Sequence, residues 1–235
     1  MNSSYASSPQ FPYNKHRGPH PGVLAIVHIL LFAASLILLG ILSHGADYPR
    51  PFGPLEAAQK TFLRFSDAFR INAFFQFASA IPLGLFTAAV CSRLRFLGVN
   101  VTGVSIAFFG GTAASIFFLL SGLCGWILSQ PAIAGDLVVM HAIQLLGFGG
   151  GGIAFTAALG LLMAGVSVPC LFGKYTPRWV AWLGLVLAGI AELSVITLIV
   201  PQFVWLLPIV RFPSFIWMIG TGFTLIKKRP EPVNS

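Results

Sequence analysis

The chain has 235 residues, of which 56% are hydrophobic and only 9% charged, with a formal net charge of +8. Soluble domains carry about 25% charged residues, so this composition cannot clothe a water-facing surface and excludes a soluble enzyme. The basic balance would suit nucleic acid, but the positives flank long apolar runs, where membrane topology wants them, and no nucleic-acid partner is expected.

Residues 1–21 are rich in Ser, Pro, Tyr and His, contain no acid, and read as a disordered cytoplasmic tail. A bilayer core of about 30 Å takes roughly 20 apolar residues per helix. The first such run is Gly22 to Leu42, interrupted by His28. It exceeds the usual signal-peptide core of about 7–15 residues, so a retained anchor is expected, with cleavage near Ser43 and Gly45 as the alternative. The segment 43–70 follows. Its second half, Leu55 to Phe65, spaces apolar residues at helical intervals with charges between them. That predicts a short helix, lying on the membrane surface or packed as a cap over the bundle mouth.

Further runs are Ile71 to Val90, Val104 to Leu128, Val139 to Val168, Val180 to Val200 and Pro208 to Ile226. The fourth is long enough to be tilted or broken, and Pro208 marks a helix-opening position. The expected fold is all-α: six transmembrane helices over 22–228, with a cytoplasmic tail at 229–235. With both termini inside, the cytoplasmic segments hold Lys15, Arg17, Arg93, Arg95, Lys174, Arg178, Lys227, Lys228 and Arg229 against Glu231 alone. The other side holds Arg50, Lys60, Arg64, Arg70 and Arg211, balanced by Asp47, Glu56, Asp67 and Asp136. This is the bias of the positive-inside rule. It also places the glycosylation-type triplet Asn100-Val101-Thr102 on the cytoplasmic side, where it has no use. Cys91 to Gly110 and Cys170 to Gly189 share a spacing but little identity, and set no repeat.

Ionisable groups inside hydrocarbon are expensive and are functional candidates by default. Glu192, eight residues before Val200, is the foremost, and Arg211 in the first turn of the sixth span is its natural partner. Gln76, His141 and Gln144 fall in the same outer half, and Arg70 marks the entrance to the second span. These six either line one outward-facing polar pocket or lock the bundle by inter-helix hydrogen bonds. His28, nearer the cytoplasmic end, reads as a neutral histidine bonded to a neighbouring helix.

The run Gly147-Phe148-Gly149-Gly150-Gly151-Gly152 spells GxGxxG, yet it follows no strand and lies within an apolar span, so it is no dinucleotide fingerprint. Its content is close helix packing through Gly147 and Gly151, or a hinge at a binding site. Gly110, Gly111, Ala114 and Ser115 give the third span a small-residue face expected to meet the glycine-rich fourth. The five tryptophans, Trp126, Trp179, Trp182, Trp205 and Trp217, read as interfacial anchors.

The sequence lacks HExxH, GxSxG, a P-loop and a mid-span lysine, the minimum parts of the common membrane enzymes and of a retinal site. Its three cysteines lack metal-site spacing, so no metal and no cofactor is expected. The exception kept open is haem held by His44 and His141 in an electron carrier. The stretches Tyr175-Thr176-Pro177-Arg178-Trp179-Val180-Ala181-Trp182-Leu183-Gly184-Leu185 and Arg211-Phe212-Pro213-Ser214-Phe215-Ile216-Trp217-Met218-Ile219-Gly220 resemble small bacterial multi-pass proteins of the DUF4386 type. The resemblance covers the C-terminal third and implies a six-span protein of the bacterial inner membrane, with no mechanism attached. The function expected is non-catalytic: a structural or accessory subunit in the lipid bilayer, partnered by other membrane subunits or by its own copies. The alternative is a small proton-coupled transporter or ligand-binding protein.

The topology is directly testable. In a cysteine-free background, Ser3→Cys or Ser235→Cys should react with a membrane-impermeant maleimide only after cells are opened, and Lys60→Cys should react in intact cells. The opposite pattern would invert the protein.

Overall fold

The computed structural model describes residues 16, 18–46 and 48–227; most of the tails expected at 1–21 and 229–235 lies outside these. The helices are α1 (Pro21–Leu42), α2 (Leu55–Arg64), α3 (Ser66–Phe96), α4 (Thr102–Leu128), α5 (Pro131–Ala134), α6 (Leu137–Phe148), α7 (Phe155–Gly173), α8 (Arg178–Leu193) and α9 (Leu206–Thr224). A π-helical segment, Gly149–Ala154, joins α6 to α7, and the short 3-10 turns Ser194–Leu198 and Pro201–Trp205 join α8 to α9. All elements among the described residues are helical, and six stretches are long and apolar enough to cross a membrane. The chain is a multi-pass membrane protein.

The sixth span opens earlier than the sequence suggests. Its α-helix begins at Leu206, and Pro208 sits inside the first turn, where its missing N–H has no intrahelical partner to lose. The fourth span, expected to be tilted or broken, runs continuously through Leu137–Gly173 by way of the π-helical segment. At 37 residues and 1.5 Å per residue it is about 55 Å long, well beyond a bilayer core.

The six spans close a ring in which α1 adjoins α3, α3 adjoins α4, α4 adjoins α7, α7 adjoins α8, and α9 lies between α8 and α1. Lipid is as apolar as leucine, so close backbone approach and hydrogen bonds must hold such a ring. Gly110 and Gly111 let α4 touch two neighbours at once. A methyl group on Gly110 would meet Ala158 and Leu162 of α7, and one on Gly111 would meet Thr87 of α3. The small face of the third span therefore serves the second as well as the fourth: Ser115 Oγ donates to Ala80 O at 2.7 Å. At the ring's centre Trp217 is fully buried, its Nε1 donating to Ser167 Oγ at 3.1 Å. It is core, not the interfacial anchor expected of it.

Polar groups on α1 and α3 finish the accounting. Pro82 supplies no N–H to the α3 ladder, and carbonyls just before it find partners on other helices. Ser79 O accepts from His28 Nδ1 of α1 at 2.8 Å, so His28 is the satisfied inter-helix histidine expected. Asn72 Nδ2 of α3 donates to Ser35 O of α1 at 3.0 Å.

His16 Nε2 lies 3.0 Å from Ser92 Oγ, and the His16 N–H donates to Lys227 O. Both ends of the described chain thus sit on one side of the bundle, here the terminal side. There the Gly22 N–H donates to His20 Nδ1 at 3.1 Å, capping α1. Burial, then the charges of Lys227 and Arg93, hold the His20 imidazole below its ordinary range.

On the opposite side a second, smaller core assembles from Leu39, Ala58, Phe62, Phe69, Leu128, Ala134 and Met140. The helix expected in 43–70 is α2, and it forms a cap: Ala58 and Phe62 are buried. Gln59 Nε2 donates to Ala134 O at 3.0 Å and Gly135 O at 2.9 Å, taking carbonyls left free at the end of α5.

Gly111→Val should lower the thermal stability of the detergent-solubilised protein by about 1–3 kcal/mol, the range for overpacking. Gly40→Val, where an added Cβ would have nothing within 4 Å, should stay within about 1 kcal/mol of wild type, the difference being mostly helix propensity. Equal melting of the two variants would remove the close α3–α4 contact as a determinant of the fold.

Candidate functional site

Beneath the cap, the bundle holds a cavity of about 340 Å³, at the lower end of the about 300–1,000 Å³ of ligand pockets. Phe32 and Leu36 of α1, Asn72 and Gln76 of α3, Ser121 and Cys124 of α4, Gln144 and Phe148 of α6, Gly151 and Gly152 of the π-helical segment, and Leu207, Arg211 and Phe212 of α9 line it. Tyr48, Pro49 and Pro51 close it from the loop between α1 and α2. Most of the wall is apolar, with polar groups converging from four spans.

Local sequence explains the π-helical segment. Four successive glycines have the weakest claim to α-helix short of proline, and without side chains the turn widens at little steric cost. In an α-helix the Phe155 N–H would bond to Gly151 O, four residues back. Here it bonds to Gly150 O and Gly152 O instead and passes over Gly151. The carbonyl so released accepts from Arg211 Nη2. Gly151 also permits the approach of α4, since a methyl group there would strike Ser121 Oγ. Gly147 meets Cys124 of the same helix in the same way, so the pair packs closely, as its GxxxG spacing predicts.

Arg211 occupies a cage of aromatic rings. Its guanidinium carbon lies 4.6 Å from the centre of Phe155, 5.5 Å from Phe118 and 5.6 Å from Phe32. Four spans therefore meet at this one cation. Each ring attracts it by about 0.5–2 kcal/mol, against about 2.5–3.5 kcal/mol for placing an arginine at membrane depth. The charge is tolerated, but its hydrogen bonding is incomplete. A guanidinium carries five N–H donors; among the described residues only Gly151 O accepts one, and Nε is buried without a partner.

The amides add directional groups. Gln76 Nε2 donates to Ser121 Oγ at 2.9 Å. Gln144, 5% exposed, donates through Nε2 to Pro49 O at 3.1 Å and leaves Oε1 buried and unpartnered. That bond ties the covering loop to the cavity wall, and the Phe52 ring standing edge-on to Phe148 at 5.6 Å adds a second tie.

Of the six residues expected to share one pocket, the cavity gathers Gln76, Gln144 and Arg211. Glu192 is exposed on α8, its carboxylate beside Gly160 of α7, and α8 contributes nothing to the cavity wall. Among the described residues Glu192 makes no ion pair with Arg211, because the guanidinium turns inward to Gly151. Arg70 pairs at 3.2 Å with Asp67 at the surface, a contact of the kind worth about 0–1 kcal/mol. His141, one turn from Gln144, is half-buried with Nδ1 unpartnered and lies off the cavity wall. His44 lies in the turn that ends α1, with a positive φ of 52°.

Sequence reading missed Asn72, Ser121 and the three phenylalanines. Asn72 was legible, since it lies one helical turn from Gln76 on the same face. The phenylalanines were not, because 22 phenylalanines carry no mark of which will surround a cation. Compared with protein-family models, curated proteins and solved structures, the chain gives no significant match.

Gly151→Ala should destabilise the protein by about 1–3 kcal/mol, since its methyl group must displace Ser121. Gly149→Ala, which meets open space, should be neutral or stabilising by up to about 1 kcal/mol through helix propensity. Thermal unfolding of the two variants checks this. If Gly149→Ala were the more damaging, the Gly151 seat would not be what requires glycine here.

Proposed function

We propose that the protein binds an anionic ligand in the capped cavity, as a non-catalytic binding or transport protein. The observation that carries this is Arg211: a cation at membrane depth, facing a cavity, with no carboxylate beside it among the described residues and most of its donors unused. A bound carboxylate or phosphate would complete its hydrogen bonding in a low-dielectric site, where charge-assisted bonds are strongest. Asn72, Gln76 and Gln144 supply polar groups that fix orientation, and the apolar wall suits the body of a ligand.

The positive-inside bias supports both termini being cytoplasmic, which makes the capped side the outer face of a plasma membrane. The DUF4386-type resemblance favours a bacterial inner membrane. The structural or accessory reading rests on a different observation, the three-ring cage and the Gly151 bond, which would hold four spans together with no ligand at all.

Arg211→Met separates the two. Under the binding reading the variant removes a partly buried charge that has no carboxylate partner among the described residues, so it should melt within about 1 kcal/mol of wild type. Acetate, inorganic phosphate or decanoate should then raise the melting temperature of wild type and not of the variant. A ligand at a hundredfold its Kd stabilises by about 2.7 kcal/mol, an ample signal. A variant destabilised by about 3 kcal/mol or more, together with a wild type indifferent to all three anions, would establish the lock and end the binding reading.

A further inference from the structure

Helices α1 and α9 are held together unevenly along their length. On the terminal side they touch backbone to backbone, since a methyl group on Gly222 would meet Pro21 and Gly22. The His20 ring lies 5.1 Å from Phe223 at the same level. Midway, Phe215 stands edge-on to both His28 and Phe32, at 5.9 and 5.7 Å. Beyond Phe32, toward the cap, no hydrogen bond or ring pair joins the two helices among the described residues. The cavity lies there instead, and three of its lining residues also face outward: Leu36 is 43% exposed, Phe212 50% and Val204 37%. The cavity wall is thus continuous with the outside of the bundle between α1 and α9, on a surface of apolar side chains that lies against lipid.

Depth and polarity fit that opening. Arg211 lies five residues past the start of α9, about 8 Å along the axis. Within α9 (Leu206–Thr224) this is the cap-side third of the helix. The loop carrying Tyr48, Pro49 and Pro51 covers the cavity on the cap side and is tied down by Gln144. A water-borne anion would have to pass this loop. A molecule already in the bilayer, with its acidic group at the interface and its chain in the hydrocarbon, meets an apolar opening with a cation at matching depth.

We infer that the cavity takes a single-chain anionic amphiphile, a carboxylate or phosphate head on an apolar tail, entering from the bilayer between α1 and α9. The head sits at Arg211, with Asn72 and Gln76 beside it on the wall. The tail lies along Leu36 and Phe212 and extends toward lipid. A cavity of about 340 Å³ suits one small head and part of a chain. The inference rests on the binding reading above and names the class of ligand and its route.

The test uses the full-length protein in phosphatidylcholine nanodiscs, titrated with nitroxide-labelled stearate and followed by electron paramagnetic resonance. The expected result is a saturable, immobilised component at a single site per chain, displaced by palmitate and unaffected by acetate or inorganic phosphate. Arg211→Met should weaken it by about tenfold or more, the effect of losing a hydrogen bond to a charged group. Leu36→Trp, at a 43% exposed position on the opening, should reduce the immobilised component by about as much, and keeps the test open if Arg211→Met does not fold. An immobilised component that ignores both substitutions is lipid around the bundle and overturns the inference. If stearate is not held while acetate or phosphate stabilises wild type through Arg211, the anion site stands and the bilayer route falls. If no anion is bound in either form, both readings fall together.

Discussion

A guanidinium at membrane depth is the constraint around which the rest of this bundle is arranged. A guanidinium in an apolar surround needs partners, and the protein supplies Arg211 with some of them. Three phenylalanines from α1, α4 and α7 provide π faces, and the π-helical segment provides a carbonyl. The Phe155 N–H passes over Gly151 and leaves that carbonyl without its α-helical donor, and the glycine run lets the helix widen there at little steric cost. The glycine run, the helical irregularity and the buried charge are therefore one arrangement. In a regular α-helix through Gly149–Ala154 the Gly151 carbonyl would be shared between the Phe155 N–H and Arg211.

The same accounting governs the ring of spans. No hydrophobic force gathers helices that are already in lipid, and each contact is secured by a missing side chain or a polar bond. Gly110 and Gly111 bring α4 against two neighbours, and Gly22 and Gly222 bring α1 against α9. Around Pro82 the carbonyls of Ser79 and Ala80 are taken by His28 and Ser115. α1 and α9 touch most closely on the terminal side. Toward the cap these two spans separate, while Gly122 and Gly147 keep α4 close to α3 and α6, and the cavity lies in the space left.

The cap follows from helix length. α3 and the fourth span exceed the bilayer thickness, and their extra turns give α2 and α5 a surface to pack on. Phe62 and Met140 form a core there, of the kind found in water-soluble domains, with an amphipathic helix covering it. The loop before α2 then crosses the cavity and is pinned by Gln144. Span length, cap and covered cavity form one causal sequence, which puts a polar site under a lid at the edge of the membrane.

What the amino-acid sequence determined by itself is the part governed by local pattern. Apolar runs of bilayer length gave six helices in the right places. The absence of strand periodicity made the fold all-α, and the GxxxG spacing marked a close contact. Individual polar residues inside spans were also visible, and Gln76, Gln144 and Arg211 do converge. Tertiary structure decided which of them face one another, because a residue's direction depends on the rotation of its helix about its own axis. In apolar spans with little amphipathic contrast, nothing local sets that rotation. Arg211 and Glu192, paired on sequence grounds by charge and depth, turn to opposite sides for this reason. The aromatic cage was hidden for the same cause. Phe32, Phe118 and Phe155 are ordinary span residues until three helices bring them around one cation.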